Sequence, residues 1–140
     1  MPGSSYVTAT GPIGAEGPYW DGLLAGKLVL PRCEGCGAWH WPAVWRCGTC
    51  GSWDHEWLAQ PLEGEVFSHT RTHHAFAGAE HFPLPFTTVL VALRTVPVRL
   101  TGVLEGDERS LRIGAAVRGR IDHTMLGKAR IPALRWSLAA

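Results

Sequence analysis

The sequence predicts a mainly β fold in which a short helix and a small cysteine-rich ribbon precede a five-stranded barrel. The 17 glycines and 10 prolines among 140 residues favour short elements joined by many turns. All four cysteines lie within residues 33–50, which sets this segment apart as a small unit of its own. Five segments of β-branched and aromatic character follow it, as expected for a small barrel.

The chain divides into four parts on these patterns. Residues 1–17 are rich in Gly, Ser, Thr and Pro and lack periodicity, which predicts a flexible arm. A helix is predicted over residues 18–30, because large apolar side chains recur at helical spacing from Trp20 to Leu28. The ribbon is predicted over residues 31–60 and the barrel domain over residues 61–140.

The barrel prediction depends on the second half of the chain. Its clearest strand is a nearly continuous apolar run over residues 86–95, which suits a buried strand. Short strands joined by Gly-rich corners are typical of a Greek-key barrel of the OB type. The predicted strands span residues 64–74, 86–95, 98–104, 111–122 and 130–136.

Two Cys-x-x-Cys pairs, each followed by glycine, form the strongest motif. Four thiolates complete a tetrahedral shell and leave no open position for a substrate, so the pattern predicts a structural zinc. Glycine after each pair suits a corner of positive φ in a loop that wraps around metal-bound sulfurs. Iron uses the same ligands, so the spacing leaves zinc and iron both open, whereas a redox dithiol or a disulfide fits less well. The predicted ligands are Cys33, Cys36, Cys47 and Cys50.

Charge and hydropathy argue against several kinds of partner. The net charge of +1 and the absence of a Lys/Arg run disfavour nucleic acid, although a single-stranded nucleic-acid-binding module stays the alternative function for an OB barrel. No segment reaches the roughly 20 apolar residues that a bilayer span needs. The N-terminus lacks the basic and apolar parts of a secretory signal. We therefore expect a cytoplasmic protein, in a reducing compartment that disfavours disulfides.

Three tryptophans between the cysteine pairs are candidate contacts for a partner protein. A ribbon too small to hide all three rings must expose some of them, and exposed indoles are common anchors of interfaces. Packing against the helix or the barrel is an equal alternative for each ring. The three residues are Trp39, Trp41 and Trp45.

Histidines of the first predicted barrel strand are candidates for acid–base chemistry. His69 and His73 would share a strand face with Arg71, because alternate side chains point to the same side. No carboxylate pair, nucleophile elbow or phosphate-binding loop accompanies them, and the metal site uses every thiol. Independent catalysis is therefore not favoured, and we predict Arg71, His73 and His74 instead as contacts for a partner.

The order of the motifs points to a known family. It resembles the zinc-ribbon/OB-fold proteins associated with acyl-CoA, a family long catalogued as a domain of unknown function. The likeness extends over about residues 18–122. It is carried by Tyr19-Trp20-Asp21-Gly22-Leu23, Leu30-Pro31-Arg32-Cys33-x-x-Cys36-Gly37, Trp41-Pro42, Cys47-x-x-Cys50-Gly51, Trp57 and Gly64-Glu65-Val66-Phe67-Ser68.

This resemblance implies a non-catalytic companion of thiolase-fold enzymes, including thiolases, acetyltransferases and steroid side-chain aldolases. In such a hetero-oligomer the partner carries the nucleophile, and the OB domain stabilises it or helps to hold the CoA thioester. The resemblance therefore implies that the predicted partner contacts are also candidate contacts for acyl-CoA, namely Trp39, Trp41, Trp45, Arg71, His73 and His74. Thr95-Val96-Pro97 departs from the acidic–glycine turn that relatives usually carry. Arginines that share a face would suit the CoA phosphates, and the candidates are Arg71, Arg94, Arg99, Arg118 and Arg120.

Overall fold

The computed structural model describes residues 14–77, 82–126 and 128–139. The predicted flexible arm lies outside the described residues up to position 13, and its last residue, Gly17, begins the helix. The elements, in chain order, are helix α1 (Gly17–Leu24) and strands β1 (Leu28–Cys33), β2 (His55–Gln60), β3 (Glu63–Thr72), β4 (Phe86–Leu93), β5 (Arg99–Glu105), β6 (Ala116–Leu126) and β7 (Ala129–Leu138). No described helix is long and apolar enough to cross a membrane.

The helix is shorter than the predicted span of 18–30, which was wrong at its C-terminal end. It stops at Leu24, and Gly26 adopts a φ of 79°. The N–H of Lys27 bonds to the carbonyl of Gly22 at 2.8 Å, and the N–H of Gly26 bonds to that of Leu23 at 3.0 Å. This pair of bonds is the Schellman motif, which satisfies the last carbonyls and turns the chain out of the helix.

Strands β1 and β2 form a two-stranded antiparallel sheet that carries the ribbon. Their register runs from Leu28 opposite Gln60 to Cys33 opposite His55. Neither strand was predicted from the sequence. Leu28 fitted the helical spacing, yet it is buried together with Leu30, two residues on, as expected for side chains on one face of a strand.

The other five strands close into a barrel in the order β3-β4-β5-β7-β6, with only the β5–β7 pair parallel. The predicted fold class is therefore confirmed. Strand β6 begins at Ala116 rather than at residue 111, because a turn with Gly114 at a φ of 90° precedes it. Strand β3 ends at Thr72, so His73 and His74 lie beyond it and His73 does not continue the strand face of His69 and Arg71.

The helix, the ribbon sheet and the barrel share one hydrophobic core. Tyr19 and Leu23 of the helix, together with Leu30 of β1, belong to the same buried cluster as the barrel residues. The turn after β4, which contains Thr95-Val96-Pro97, also contacts the ribbon. The hydroxyl of Thr95 donates a hydrogen bond to Gln60 Oε1 at 2.8 Å. The barrel therefore supports the ribbon at two places.

Candidate metal centre

The four cysteines come together at one end of the ribbon sheet. Their sulfur atoms all lie within 4.8 Å of one another, and no disulfide joins them. Cys33 Sγ lies 3.5 Å from Cys50 Sγ, and Cys36 Sγ lies 3.7 Å from Cys47 Sγ. Four thiols converging on one point match the donor set of a closed tetrahedral metal site.

Each Cys-x-x-Cys pair forms a tight turn that ends at glycine. Gly37 and Gly51 have φ values of 78° and 81°, as the sequence predicted for these corners. The N–H of Gly37 bonds to the carbonyl of Cys33 at 2.8 Å, and that of Gly51 to the carbonyl of Cys47 at 2.9 Å. The two turns thus have the same geometry.

An arginine directly before each Cys-x-x-Cys pair makes the same contact in both turns. Arg32 Nε donates to the carbonyl of Gly37 at 3.2 Å, and Arg46 Nε donates to that of Gly51 at 3.0 Å. Neither arginine was predicted to support the metal site, although the repeated Arg-Cys-x-x-Cys-Gly pattern was a visible signal. Each guanidinium bonds to the glycine at the end of its turn. This bond restrains the backbone of the turn and so helps to fix the orientation of its two sulfur atoms.

The surroundings of the sulfur atoms differ. Cys33 and Cys47 are buried, whereas Cys36 and Cys50 are exposed. Hydrogen bonds from the backbone N–H groups of Cys50 and Thr49, and one with His40, lower the pKa of Cys47 to about 5. Cys47 therefore ionises more readily than Cys50, whose pKa is raised to about 11 by its contact with Cys33 and by burial. A bound cation favours the thiolate form of every ligand.

His40 is a further neighbour of the cysteine cluster that was not among the predicted site residues. Its Nε2 atom lies 3.2 Å from Cys47 Sγ, and its ring meets that of His55 edge-to-face with centroids 5.6 Å apart. His55 Nε2 is buried and has no hydrogen-bond partner within the described part of the chain. Nothing in the spacing of His40 relative to the cysteines marks it as a neighbour of the cluster.

The structure separates the three predicted contact tryptophans. Trp41 is half-buried, with its ring centroid 4.3 Å from that of Tyr19, and it borders a groove of about 410 Å³ between α1, β5 and β7. Trp39 is also half-buried and forms an isolated bridge with Arg32. Trp45, by contrast, is 62% exposed. Two of these rings therefore pack inward, and one faces solvent.

Trp41→Ala should destabilise the metal-loaded protein by about 1 to 3 kcal/mol, because it removes an aromatic ring that joins the ribbon loop to the helix. Trp45→Ala is the matched control and should change the free energy of unfolding by less than about 0.5 kcal/mol. Urea unfolding followed by circular dichroism measures both values. Equal losses for the two variants would contradict the assignment of Trp41 as the packed ring.

The predicted contacts at the end of β3 do not form one polar site. Arg71 pairs with Glu108 at 2.9 Å, and the buried hydroxyl of Thr87 donates to the same carboxylate oxygen at 3.1 Å. His73 and His74 are exposed, and the ring of His74 lies 4.8 Å from that of Phe76. Within the described residues, these histidines belong to no cluster suited to a metal ion.

The remaining arginines mostly have partners of their own. Arg94 forms an ion pair with Glu63, and Arg120 forms ion pairs with Glu105 and Asp122. Arg99 lies over the ring of Phe67, 3.7 Å from its centroid, and Arg118 is exposed.

Family models match both parts of the chain. The model described as "ChsH2, rubredoxin-like zinc ribbon domain" matches residues 20–56, and "ChsH2, C-terminal OB-fold domain" matches residues 57–122. The chain belongs to the ChsH2 family. The resemblance read from the sequence is thereby confirmed, and the ribbon model together with the close approach of the cysteines indicates a structural metal.

Solved structures share the fold of this ChsH2-family chain. One is described as "Ltp2-ChsH2(DUF35) aldolase"; it is 24% identical, with a TM-score of 0.77, and the match covers 93% of this chain and 98% of the other. A DUF35-family protein of unknown function from Sulfolobus solfataricus is 18% identical, with a TM-score of 0.60 and coverage of 96% and 93%. No curated protein sequence matches this chain.

Proposed function

We propose that this chain is a non-catalytic accessory subunit of a thiolase-fold enzyme that acts on CoA thioesters. The observation that carries the proposal is the presence of both ChsH2-family domains, in order, in a chain whose fold matches a solved Ltp2-ChsH2(DUF35) aldolase along most of its length. In the proposed cytoplasmic hetero-oligomer the partner supplies the nucleophile. This subunit stabilises the partner or helps to hold the acyl-CoA.

The proposed metal is one structural zinc bound by the four cysteines, with the ribbon at residues 31–60 and the barrel domain at residues 61–140. Four soft thiolate donors suit zinc, and a filled tetrahedral shell stabilises the fold without activating water. All the thiols of the chain are in this cluster. A metal-loaded subunit would therefore have no free cysteine nucleophile, which supports an accessory role.

The charge of the surface supports a protein partner over nucleic acid. Arg71, Arg94 and Arg120 are each paired with an acidic side chain, so they add little to a basic surface for phosphates. Trp45 is an exposed indole of the ribbon, with the properties of an interface anchor. We propose that its ring contacts the partner enzyme.

A tagged form of the chain, expressed in its native cell, should co-purify with a thiolase-fold enzyme that mass spectrometry identifies. The purified subunit should not turn over CoA thioesters alone, and adding it should raise the activity or stability of the partner. Turnover by the isolated chain, or salt-sensitive binding to single-stranded nucleic acid without an enzyme partner, would overturn the proposal.

Trp45→Ala should weaken binding to that purified enzyme by about tenfold or more, because truncation of an anchoring tryptophan costs an interface roughly 2 kcal/mol. Ile113→Ala is the matched control, since Ile113 is an equally exposed apolar residue that lies between β5 and β6 rather than in the ribbon. Titration calorimetry gives both affinities. Unchanged binding of the Trp45 variant would remove this ring from the interface.

A further inference from the structure

We infer that His40 donates a hydrogen bond to the Cys47 thiolate and thereby slows the loss of the metal from the cluster. The inference rests on the proposed binding of a metal by the four cysteines. It starts from one contact, in which His40 Nε2 lies 3.2 Å from Cys47 Sγ. His40 is not one of the four predicted ligands and would act on the metal through Cys47.

The state of the sulfur decides which atom is the donor. A metal-bound cysteine is a thiolate, which has no proton and can only accept a hydrogen bond. A ring nitrogen of histidine donates or accepts according to its tautomer. With metal bound, Nε2 of His40 must therefore carry a proton, and the bond to sulfur is assisted by the negative charge of the thiolate.

Cys47 needs such a donor more than the exposed ligands do. Four thiolates around a divalent ion leave about two net negative charges, and these charges require solvation. Water reaches Cys36 and Cys50, which are exposed, but Cys47 is only 2% exposed. The backbone N–H groups of Cys50 and Thr49 bond to this sulfur, and His40 adds a donor from outside the turn.

The backbone and the ring of His40 are both held in position. Its N–H donates to the carbonyl of Pro31 at 3.1 Å, and the preceding residue, Trp39, bridges to Arg32. The ring rests edge-to-face against His55. Because the surrounding structure fixes this geometry, forming the bond to sulfur costs little further conformational entropy.

The test compares two substitutions that differ in the donor. His40→Gln places an amide N–H where Nε2 lay, whereas His40→Phe keeps a ring but has no donor. Losing a hydrogen bond to a metal ligand typically weakens metal binding by about tenfold or more. We expect this loss to fall on the dissociation step, so the Phe variant should release zinc to a chromophoric chelator about tenfold faster than the unmodified protein. The Gln variant should stay within about twofold of the unmodified rate. His69→Leu removes an exposed histidine from β3 and serves as the matched control.

Cobalt-loaded protein provides a readout that packing alone would not move. Loss of the N–H···S bond changes electron density on the sulfur, so His40→Phe should shift the sulfur-to-cobalt charge-transfer band, and His40→Gln should restore it. Release rates that are equal in all variants would overturn the inference, as would fast release by both His40 variants. Unmodified protein that binds no metal at elemental analysis would instead refute the proposed metal site itself.

Discussion

Serine in place of Cys47 is expected to abolish stable metal binding and to unfold the ribbon. The substitution removes one buried thiolate from a cluster whose sulfur atoms lie within 4.8 Å of one another, and the hydroxyl of serine is a poor replacement ligand. Binding of a structural zinc contributes on the order of 10 kcal/mol to folding, more than a small two-stranded sheet gains from its own core. The loss should therefore exceed that of any substitution that leaves the four cysteines and the barrel core unchanged.

Elemental analysis and thermal unfolding test this result together. The Cys47→Ser protein should contain less than one equivalent of zinc, and its ribbon should be digested rapidly by protease. Thr49→Ala is the matched control, because Thr49 lies between Cys47 and Cys50 in the same turn and is exposed. A variant that retains one zinc and the unmodified melting temperature would show that Cys47 is not required as a ligand.

Local signals made the cysteines predictable, whereas their neighbours depend on the path of the whole loop. A Cys-x-x-Cys-Gly turn sets two ligands within five residues, so sequence spacing alone describes it. His40 lies beside Cys47 because its own backbone N–H bonds to the carbonyl of Pro31, which fixes the path of the chain between the two turns. No periodic pattern encodes that path.

The boundary between the helix and the first strand could not be predicted from hydrophobic spacing alone. Leu28 follows Leu24 at helical spacing, but it also alternates with Leu30 as strand residues do. The Schellman turn at Gly26 decides between the two patterns, since it ends the helix and starts β1. The partner strand β2 begins 22 residues after the end of β1, so the pairing of the two strands is a long-range contact that local sequence patterns do not encode.

The ribbon contacts the helix and the barrel directly, so a metal bound in the ribbon would also affect the structure of these neighbouring parts. Trp41 belongs to the loop between the cysteine pairs, yet its ring packs against Tyr19 of the helix and borders the groove beside β5 and β7. Gln60 at the end of β2 accepts a hydrogen bond from Thr95 of the barrel. Loss of the metal should therefore loosen one wall of this groove as well as the ribbon.

Trp136→Ala should reduce the stability of the barrel by about 3 to 5 kcal/mol, the usual cost of truncating a buried tryptophan. Trp136 is fully buried in β7, with Gly102 and Gly119 against its ring. A Cβ atom at Gly119 would lie 2.8 Å from Cζ3 of that ring, so the two positions are packed against each other. Trp53→Ala is the matched control, because Trp53 is 68% exposed and its loss should change stability by less than about 0.5 kcal/mol.

A double-mutant cycle isolates the contact between Gly119 and the tryptophan. Gly119→Ala alone should destabilise the protein, because the added methyl group meets the ring at less than the normal contact distance. In the Trp136→Ala background the ring is absent, so the same substitution should cost clearly less, and the two effects should not add. Urea unfolding of the metal-loaded proteins measures all four species. Additive effects would mean that the cost at Gly119 arises from another neighbour, such as Leu62, whose Cβ would lie 3.1 Å from the added atom, rather than from Trp136.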